Sequence, residues 1–290
     1  MMGAKIQDAH GGFIFAEADK LKGCDIHLDY PSVGATENIM LAAVFADGET
    51  YIRNAAKEPE IIDLQNYLVN MGANVSGAGT SIVRIVGDSA KLRNVEHNVI
   101  PDRIVAGTYL ISSAITGGEV LLKNVVPEHI SSIISLLRES GCRINVKRNS
   151  IYIIGSMRPR AIDIIRTLPY PGFPTDMQAQ MLAYLSFAKG TSIVVETVFE
   201  NRYKHVDELL RMGANIKLEG RLAVVKGVRK LTGANVFARD LRGGAALVLA
   251  GLAAEGETVV NNTHYIDRGY EKIEEKLQLL GANIKRVEDN

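Results

Sequence analysis

The chain has no net charge, because 33 basic side chains balance 33 acidic ones among its 290 residues. A balanced chain has no overall field that would draw it to nucleic acid or to an anionic membrane surface. It also lacks a long apolar run: the longest, residues 245–254, is interrupted by Gly251 and is far shorter than the roughly 20 residues of a bilayer span. We recognise no signal peptide. A cytoplasmic protein with neither nucleic acid nor membrane as a partner is therefore expected.

Cysteine is scarce as well, with Cys24 and Cys142 the two in the sequence. Cys24 sits beside a predicted strand and Cys142 directly follows Gly141, so buried small side chains are favoured over a disulfide or a nucleophile. Histidine occurs at positions 10, 27, 97, 129, 205 and 264. These positions show no metal-ligand spacing. Neither a metal site nor a cofactor is predicted.

What the chain does contain is a repeat. Four helix-like stretches end in Leu-x-x-x-Gly-(Ala/Cys)-x-(Ile/Val), with their glycines at positions 72, 141, 213 and 281, and the tail of a fifth copy starts at Gly3. The intervals between these glycines are 69, 69, 72 and 68 residues. A glycine there takes the left-handed position that ends a helix. A nearly constant interval predicts one supersecondary unit, copied and packed against itself.

One unit, residues 29–87, illustrates the predicted order of helix, strand, helix, strand, strand. Ser32 caps a first helix that runs through Phe45 to about Asp47, and residues 50–53 form a strand. Pro59 opens a second helix with one apolar face, Gly72 ends it, and two strands follow. In the other units, helices are predicted to begin near Asp102, Pro127, Thr175, Lys204, Asp240 and Asp267.

This order predicts an α/β protein with helices packed against sheets. A domain boundary is expected near Ile100, giving domains 1–100 and 101–290. Because the first tail at Gly3 has no helix before it, the chain is expected to be the carboxy-terminal part of a longer protein, with its first units missing. An unusual amino-terminal extension is the alternative.

The helix starts carry charge pairs that suit an anionic ligand. Arg202, Arg242 and Arg268 lie near predicted helix starts, where the helix dipole disfavours a cation unless an anion is close. We therefore favour the hypothesis that these arginines bind a phosphate or carboxylate. The neighbouring acidic residues are equally well explained as helix caps. A second candidate is the start formed by residues 32–36, whose small side chains let backbone N–H groups approach a phosphate. Ser32 as a simple N-cap is the alternative there.

Asp176 is the best candidate for a general base. It follows prolines at positions 169, 171 and 174, which stiffen its approach, and it stands at a predicted helix start. Thr175 as the helix cap, with Asp176 as a partner of the dipole, is the alternative. No P-loop or dinucleotide-binding fingerprint is present, so neither ATP nor NAD is inferred.

Five strings resemble the bacterial UDP-N-acetylglucosamine enolpyruvyl transferases, also called 1-carboxyvinyltransferases. They are Glu58–Ile61, Phe173–Gln180, Glu196–Arg202, Asp240–Arg242 and Ile266–Tyr270. They occur in the order of that family over the whole chain, whereas the related enolpyruvylshikimate phosphate synthases would share the repeat without these strings. The resemblance implies six units of about 69 residues in two domains, each an inside-out α/β prism with helices inside and sheets outside.

The resemblance also implies an activity without a cofactor, in which the enolpyruvyl group of phosphoenolpyruvate passes to the 3′-hydroxyl of UDP-N-acetylglucosamine and phosphate leaves. This is the first committed step of peptidoglycan synthesis. By position, Asp176 resembles the base that takes the hydroxyl proton, and Arg242 and Arg268 resemble the cations that hold phosphoenolpyruvate. The other residues that the resemblance places against substrate are Tyr30, Pro31, Ser32, Val33, Val198, Arg202 and Asp240.

The chain departs from the family at its amino-terminal side. It lacks the family's first unit and most of its second, including the loop whose cysteine serves as the acid, and neither Cys24 nor Cys142 matches that loop. We therefore expect an enzyme of this family that is inactive alone. The alternatives are a non-catalytic UDP-sugar-binding or regulatory protein, and an assembly in which another chain supplies the missing amino-terminal units.

Overall fold

The computed structural model describes residues 1–9, 11–88 and 92–287. It divides into two compact units, residues 1–100 and 101–290. Within the described residues, none of the helices combines the length and apolar character needed to cross a membrane.

The first unit contains a two-stranded hairpin, a four-stranded sheet and two helices. The hairpin is formed by β1 (Lys5–Ala9) and β2 (Phe13–Glu17). The sheet has the order β3 (Asp25–His27), β4 (Gly48–Arg53), β6 (Ile82–Gly87), β5 (Asn74–Ser76). The helices are α1 (Val33–Ala43) and α2 (Pro59–Met71). The predicted order of elements in residues 29–87 is thus confirmed.

The second unit contains three further sheets with their helices. Its sheets have the orders β7–β9–β8, β10–β11–β13–β12 and β14–β15. The strands are β7 (Glu119–Lys123), β8 (Arg143–Lys147), β9 (Ser150–Ile154), β10 (Ile164–Arg166), β11 (Thr191–Val195), β12 (Asn215–Glu219), β13 (Leu222–Lys226), β14 (Asn235–Phe237) and β15 (Val259–Asn261). The helices are α3 (Arg103–Thr116), α4 (Ser131–Glu139), α5 (Gln178–Leu185), α6 (Val206–Arg211), α7 (Leu241–Ala253), α8 (His264–Asp267) and α9 (Ile273–Leu279).

The helices α3, α5 and α7 form the inside of the second unit. Every residue of α5 is buried, as are most residues of α3 and α7, and the three helices pack on one another. The strands instead alternate, so that one face packs on the core and the other is exposed, as in β11 and β13. This alternation is the period of two that a half-covered sheet requires. The prediction of inner helices and outer sheets is confirmed for this unit.

Two predicted helices differ from the structure. The helix that begins after Ser32 ends at Ala43 rather than near Asp47, because the amides of residues 45 and 46 bond to carbonyls three residues back and tighten the chain into a turn. The last helix, expected to begin near Asp267, is two helices. Helix α8 ends at Asp267 and α9 begins at Ile273, and Lys272 between them adopts a left-handed conformation that a continuous helix excludes.

Candidate active site

Asp176 lies just before the start of the inner helix α5, in a single 3₁₀ turn, Thr175–Met177, that leads directly into that helix. The hydroxyl of Thr175 donates to Glu196 Oε2 over 2.8 Å and does not cap the helix. The alternative in which Thr175 is the cap is therefore wrong. The Asp176 side chain is 38% exposed, so its carboxylate remains accessible from solvent.

Two arginines hold the Asp176 carboxylate from both sides. Arg202 Nη2 donates to Oδ1 over 2.5 Å. Arg242 donates to Oδ2 through Nη2 over 3.0 Å and through Nε over 3.2 Å. Hydrogen bonds between ionised partners are the short and strong kind. The anion that offsets the cost of arginines at these helix starts is thus a carboxylate of the protein itself.

Arg242 is the more enclosed of the two arginines, with 13% of its side chain exposed against 22% for Arg202. Burial on its own lowers the pKa of Arg242, but the Tyr270 phenol and the Asp176 carboxylate more than compensate, so its pKa is raised overall. Arg242 therefore keeps its positive charge inside the domain. Because two guanidinium groups surround one carboxylate, the site keeps a net positive charge that attracts a second anion.

A buried polar cluster lies behind Arg242 and fixes its direction. Arg242 Nη1 donates to Tyr270 Oη over 3.2 Å, and Gln180 Nε2 donates to the same oxygen over 3.1 Å. Tyr270 Oη is 2.9 Å from Thr108 Oγ1, whose own proton goes to the Ile104 carbonyl over 2.8 Å. The cluster joins α3, α5 and α7 through one hydroxyl. With Nη1 engaged there, the other guanidinium nitrogens point to Asp176.

Arg202 is held more loosely, in the loop before α6. Its guanidinium stacks over the Phe199 ring at 4.9 Å from the centroid, a favourable cation–π distance. A cleft of about 290 Å³ opens beside it. The cleft is lined by Glu200, Asn201, Arg202, Tyr203, Lys204, Asp207, Leu218, Gly220 and Arg239. A larger concavity, about 440 Å³, lies on the outer face of the β7–β9–β8 sheet and includes none of the clustered residues.

Val198 lies in the same loop, which Glu196 holds in place. Glu196 is 1% exposed. Its Oε1 accepts from the Val198 amide over 2.8 Å, from the Phe199 amide over 3.1 Å and from the Thr167 hydroxyl over 2.9 Å. Because its other oxygen accepts from Thr175, one buried carboxylate fixes both the start of α5 and the loop that carries Arg202.

Asp240 and Arg268 have surroundings that differ from those of Arg202 and Arg242. Asp240 Oδ1 accepts from the Gly243 amide over 2.7 Å and caps α7, which is the alternative that the sequence left open. Arg268 follows the end of α8 and is exposed, so its expected place at a helix start is wrong. In the described part of the chain, no hydrogen bond or ion pair joins Arg268 to the Asp176 cluster. Asp267 beside it pairs with Arg286 at 2.6 Å.

Tyr30, Pro31, Ser32 and Val33 belong to the first unit. Ser32 is the N-cap of α1, with its Oγ accepting from the Ala35 amide over 3.3 Å. Tyr30 is 43% exposed. The start of α1 therefore has the cap that the sequence predicted, and its role towards a nucleotide stays a prediction.

The two cysteines have different surroundings. Cys142 is buried, with its Sγ 3.5 Å from Tyr184 Oη, and burial raises the pKa of that phenol. Cys24 is half-buried in the first unit. Over residues 1–9, 11–88 and 92–287, no group of histidine, cysteine or acidic side chains could hold a metal ion. His10, one of the six histidines, lies outside these residues.

Sequence reasoning assigned no role to Gln180, Tyr270 or Glu196, although each lies inside a string that carries the family resemblance. Gln180 had a usable signal, because it lies one helical turn after Asp176 and so shares its helix face. The sequence contains no comparable signal for Tyr270 or Glu196. Their partners are distant in the sequence, since Tyr270 meets Thr108 across 162 residues.

The fold and the site define a class: a repeat-built α/β protein in which the starts of two inner helices and a neighbouring loop bring together one carboxylate and two arginines. The sequence model of the EPSP synthase (3-phosphoshikimate 1-carboxyvinyltransferase) family matches residues 1–277. UDP-N-acetylglucosamine 1-carboxyvinyltransferase 1 of Caldanaerobacter subterraneus subsp. tengcongensis is 59% identical over 285 residues, which cover 98% of this chain and 68% of the relative. The enzyme of the same name and number from Carboxydothermus hydrogenoformans is 55% identical over 287 residues, 99% of this chain and 68% of the relative.

Solved structures of enolpyruvyl transferases have the same fold as this chain. The enolpyruvyl transferase NikO from Streptomyces tendae superposes with a TM-score of 0.88 at 25% identity, covering 98% of this chain and 70% of that one. EPSP synthase from Acinetobacter baumannii shares the fold, with a TM-score of 0.75 at 21% identity over 98% of this chain and 69% of that one. The chain belongs to the enolpyruvyl transferase family.

Proposed function

We propose that this chain takes part in the transfer of the enolpyruvyl group of phosphoenolpyruvate to the 3′-hydroxyl of UDP-N-acetylglucosamine, the first committed step of peptidoglycan synthesis. Two relatives above half identity carry the name of that activity. The single observation that carries the proposal is the Asp176 carboxylate held between Arg202 and Arg242. This pairing supports the proposal because a carboxylate can accept a proton and here lies directly beside two cations.

Each group has a part in the chemistry. The hydroxyl oxygen adds to the substituted carbon of the enol phosphate, its proton passes to Asp176, and the methylene carbon takes a proton from an acid. Phosphate then leaves from the tetrahedral intermediate as the proton is lost again from the methyl carbon, which restores the double bond. Addition and elimination thus require a base, an acid and cations for the phosphate and carboxylate. Asp176 is the base in this proposal, and Arg242, Arg202 and Arg268 are the cations.

The pairing of Asp176 with Arg202 and Arg242 affects how a substrate can bind. Both arginines now donate to Asp176. A bound phosphoenolpyruvate competes for the same donors, because its phosphate and carboxylate accept hydrogen bonds from guanidinium groups as Asp176 does. When donors move to the ligand, an Asp176 oxygen becomes available for the proton of the attacking hydroxyl. Binding of the anion therefore prepares the base.

We further propose that residues 1–290 do not turn over alone. Cys142 is buried against Tyr184, which leaves the acid unassigned in the second unit. Purified chain mixed with both substrates is expected to release no phosphate above the level of an Asp176→Ala control. Phosphate release above that level would overturn this part of the proposal.

Substrate binding tests the proposal without requiring turnover. Calorimetric titration with phosphoenolpyruvate, in the presence of UDP-N-acetylglucosamine, is expected to show binding that Arg242→Met weakens about tenfold or more, since a charge-assisted contact contributes roughly 1.4 kcal/mol or more. Arg211→Met is the matched control, because Arg211 is 61% exposed, pairs with Glu208 instead and does not line the cleft beside Arg202. Absence of binding, or equal loss in both variants, would contradict the proposal.

A further inference from the structure

In each repeat, the strand that follows the first helix is β4, β7, β11 or β15, and the residue directly after that strand differs in one unit. After β4, β7 and β15 it is an asparagine, at position 54, 124 or 262. These three asparagines have a left-handed backbone conformation, with φ of 55°, 55° and 58°. After β11 the residue is Glu196, which does not adopt that conformation. The unit that carries Asp176 thus departs from the repeat at this position.

The asparagines have a local structural role. Asn54 Nδ2 donates to the Leu28 carbonyl over 2.8 Å, and Asn262 Nδ2 donates to the Ala238 carbonyl over 3.4 Å. Asparagine tolerates the left-handed conformation better than most residues that have a side chain. It therefore closes the turn after the strand and ties that turn to one neighbouring segment.

Glu196 contacts three segments instead of one. Its Oε1 accepts from the Val198 and Phe199 amides and from the Thr167 hydroxyl, and its Oε2 accepts from the Thr175 hydroxyl, over 2.8 to 3.1 Å. These donors lie in the loop after β11, after the end of β10, and in the 3₁₀ turn before α5. Both oxygens of a carboxylate accept hydrogen bonds, whereas an amide side chain has one accepting oxygen.

The carboxylate of Glu196 is costly to bury. Its side chain belongs to a residue that is 1% exposed, and its hydrogen-bond partners in the described part of the chain are all neutral. A buried charge without a charged partner loses more hydration free energy than an amide in the same place. The need for a turn does not account for this glutamate, because asparagine makes the turn in the other units.

The contacts of Glu196 lead to both members of the Asp176–Arg202 pair. Phe199, whose amide donates to Glu196, carries the ring over which the Arg202 guanidinium lies at 4.9 Å from the centroid. Thr175, whose hydroxyl donates to the other oxygen, directly precedes Asp176. One buried side chain therefore connects two charged residues that are 26 positions apart in the sequence.

We propose that Glu196 is a positioning residue of the anion site, which holds the loop of Arg202 at the start of α5 so that Arg202 and Asp176 face the same substrate. This inference rests on the function proposed above, which supplies the substrate. Because the loop is fixed in advance, the Arg202 guanidinium needs less ordering when phosphoenolpyruvate binds. A smaller entropy cost of ordering gives a higher affinity.

Glu196→Asn is the direct test, because it gives this unit the residue of the other three. Asparagine is one methylene shorter and has one accepting oxygen, so it can close the turn but cannot hold both Thr175 and the loop. Calorimetric titration with phosphoenolpyruvate, in the presence of UDP-N-acetylglucosamine, should show about tenfold weaker binding than in the unmodified chain.

Asn124→Ala is the matched control. It disturbs the corresponding turn after β7, where alanine disfavours the left-handed conformation, and it does not touch the anion site. The urea midpoint should fall, while the affinity for phosphoenolpyruvate should stay unchanged. Unchanged affinity in Glu196→Asn, or an equal loss of affinity in Asn124→Ala, would overturn the inference.

A double-mutant cycle separates positioning from a general structural role. If Glu196 acts through Arg202, Glu196→Asn should weaken binding by less than about twofold in a chain that already carries Arg202→Met. A general loss of structure would add to the effect of Arg202→Met. The same tenfold loss in both backgrounds would therefore contradict the positioning role.

Glu196→Gln keeps the question open to test if Glu196→Asn fails to fold. Glutamine has the length of glutamate, its oxygen can accept from the Val198 and Phe199 amides, and its NH₂ group can donate to the Thr175 hydroxyl oxygen. Its affinity for phosphoenolpyruvate should stay within about threefold of the unmodified chain. A loss of about tenfold or more would overturn the inference, because these contacts do not require the charge.

Hydrogen exchange tests the positioning without a substrate. The Val198 and Phe199 amides should exchange about tenfold faster in Glu196→Asn than in the unmodified chain, and Glu196→Gln should restore most of the protection. Equal exchange in a chain that binds phosphoenolpyruvate would overturn the role of Glu196 alone. The expected exchange in a chain that binds no phosphoenolpyruvate would instead overturn the function proposed above and leave the hold of Glu196 on the loop intact.

Discussion

Three aspartates stand at the starts of the inner helices of the second unit, and they differ in what they bind. Asp102 accepts from the Ile104 and Val105 amides over 2.8 and 2.9 Å, and Asp240 accepts from the Gly243 amide over 2.7 Å. Both are N-caps. Asp176 instead binds Arg202 and Arg242. Aspartates near the starts of the three inner helices thus cap the helix twice and pair with arginines once.

Asp176 differs from Asp102 and Asp240 because of the local backbone conformation at the start of its helix. Helix α5 begins with a 3₁₀ turn in which the Met177 amide already bonds to the Pro174 carbonyl over 3.0 Å, and the turn has no side-chain cap. Asp176 lies inside that turn rather than before it, whereas Asp102 and Asp240 precede their helices in extended conformation. A side chain inside the first turn cannot reach the amides ahead of it as a cap does. Its carboxylate is left for the arginines.

The largest expected effect concerns the surroundings of the α7 start. His205 is 2% exposed and its side chain lies close to Gly243, beside the Asp240 cap. Burial lowers the pKa of His205 from 6.5 to about 4, against an opposing effect of Asp240. Between these values the unfolded chain binds a proton that the folded chain does not, so the free energy of unfolding falls as the pH drops through this window, by up to about 3 kcal/mol.

Urea unfolding at pH 7 and pH 5 measures this effect. The loss of stability should disappear in His205→Asn and persist in His264→Asn, because His264 is exposed. Equal pH dependence in all three proteins would show that the α7 start contains no buried neutral histidine of this kind.

The next effect concerns the cluster behind Arg242. Tyr270→Phe removes the oxygen that accepts from Arg242 Nη1 and Gln180 Nε2 and leaves buried donors without that partner. We expect the free energy of unfolding to fall by about 2 kcal/mol and phosphoenolpyruvate to bind more weakly. Tyr265→Phe is the control, since this tyrosine is only half-buried and lies outside the cluster. A Tyr270→Phe protein with unchanged affinity would mean that the hydroxyl does not direct Arg242.

The smallest expected effect distinguishes the two helix-capping aspartates from the proposed catalytic group, Asp176. Asp102→Ala and Asp240→Ala should each lower the free energy of unfolding by about 1 kcal/mol, as loss of an N-cap does, and Asn at either position should restore most of it. Denaturant unfolding measures both. Asp102 lies at a helix start without the two arginines, so Asp102→Ala should leave phosphoenolpyruvate binding unchanged. A change in binding equal to that of an Arg242 variant would place Asp102 in the site.

The repeat, the bounds of individual helices and the candidate charged residues were predictable from the sequence. The long-range pairings between those residues were not. The glycine interval fixed the repeat, Pro59 and Gly72 fixed the bounds of α2, and Asp176 with its two arginines stood out as charge at helix starts. The pairing of Asp176 with Arg202 and Arg242 spans 26 and 66 residues. Local periodicity carries no information about partners so far apart, and it also missed the break at Lys272 that places Arg268 after α8.

The β14–β15 sheet, which has two strands in the described part of the chain, shows the same limit of sequence reasoning. Val260 and Val194 have similar local sequences, and both lie on strands of the predicted place and direction. Their burial differs because a third strand covers one and not the other. Completion of a sheet is a tertiary property, which a strand's own alternation of residues cannot reveal.

The central claim is that Asp176 is the base and Arg242 a cation of one anion site. Titration of phosphoenolpyruvate into Asp176→Ala, Arg242→Met and the unmodified chain, with UDP-N-acetylglucosamine present, tests it most directly. Removal of the carboxylate frees both guanidinium groups, so Asp176→Ala should bind phosphoenolpyruvate at least as tightly as the unmodified chain, whereas Arg242→Met should bind it about tenfold or more weakly. Equal loss of binding in the two variants would contradict the claim, because Asp176 would then serve only to hold the arginines in place.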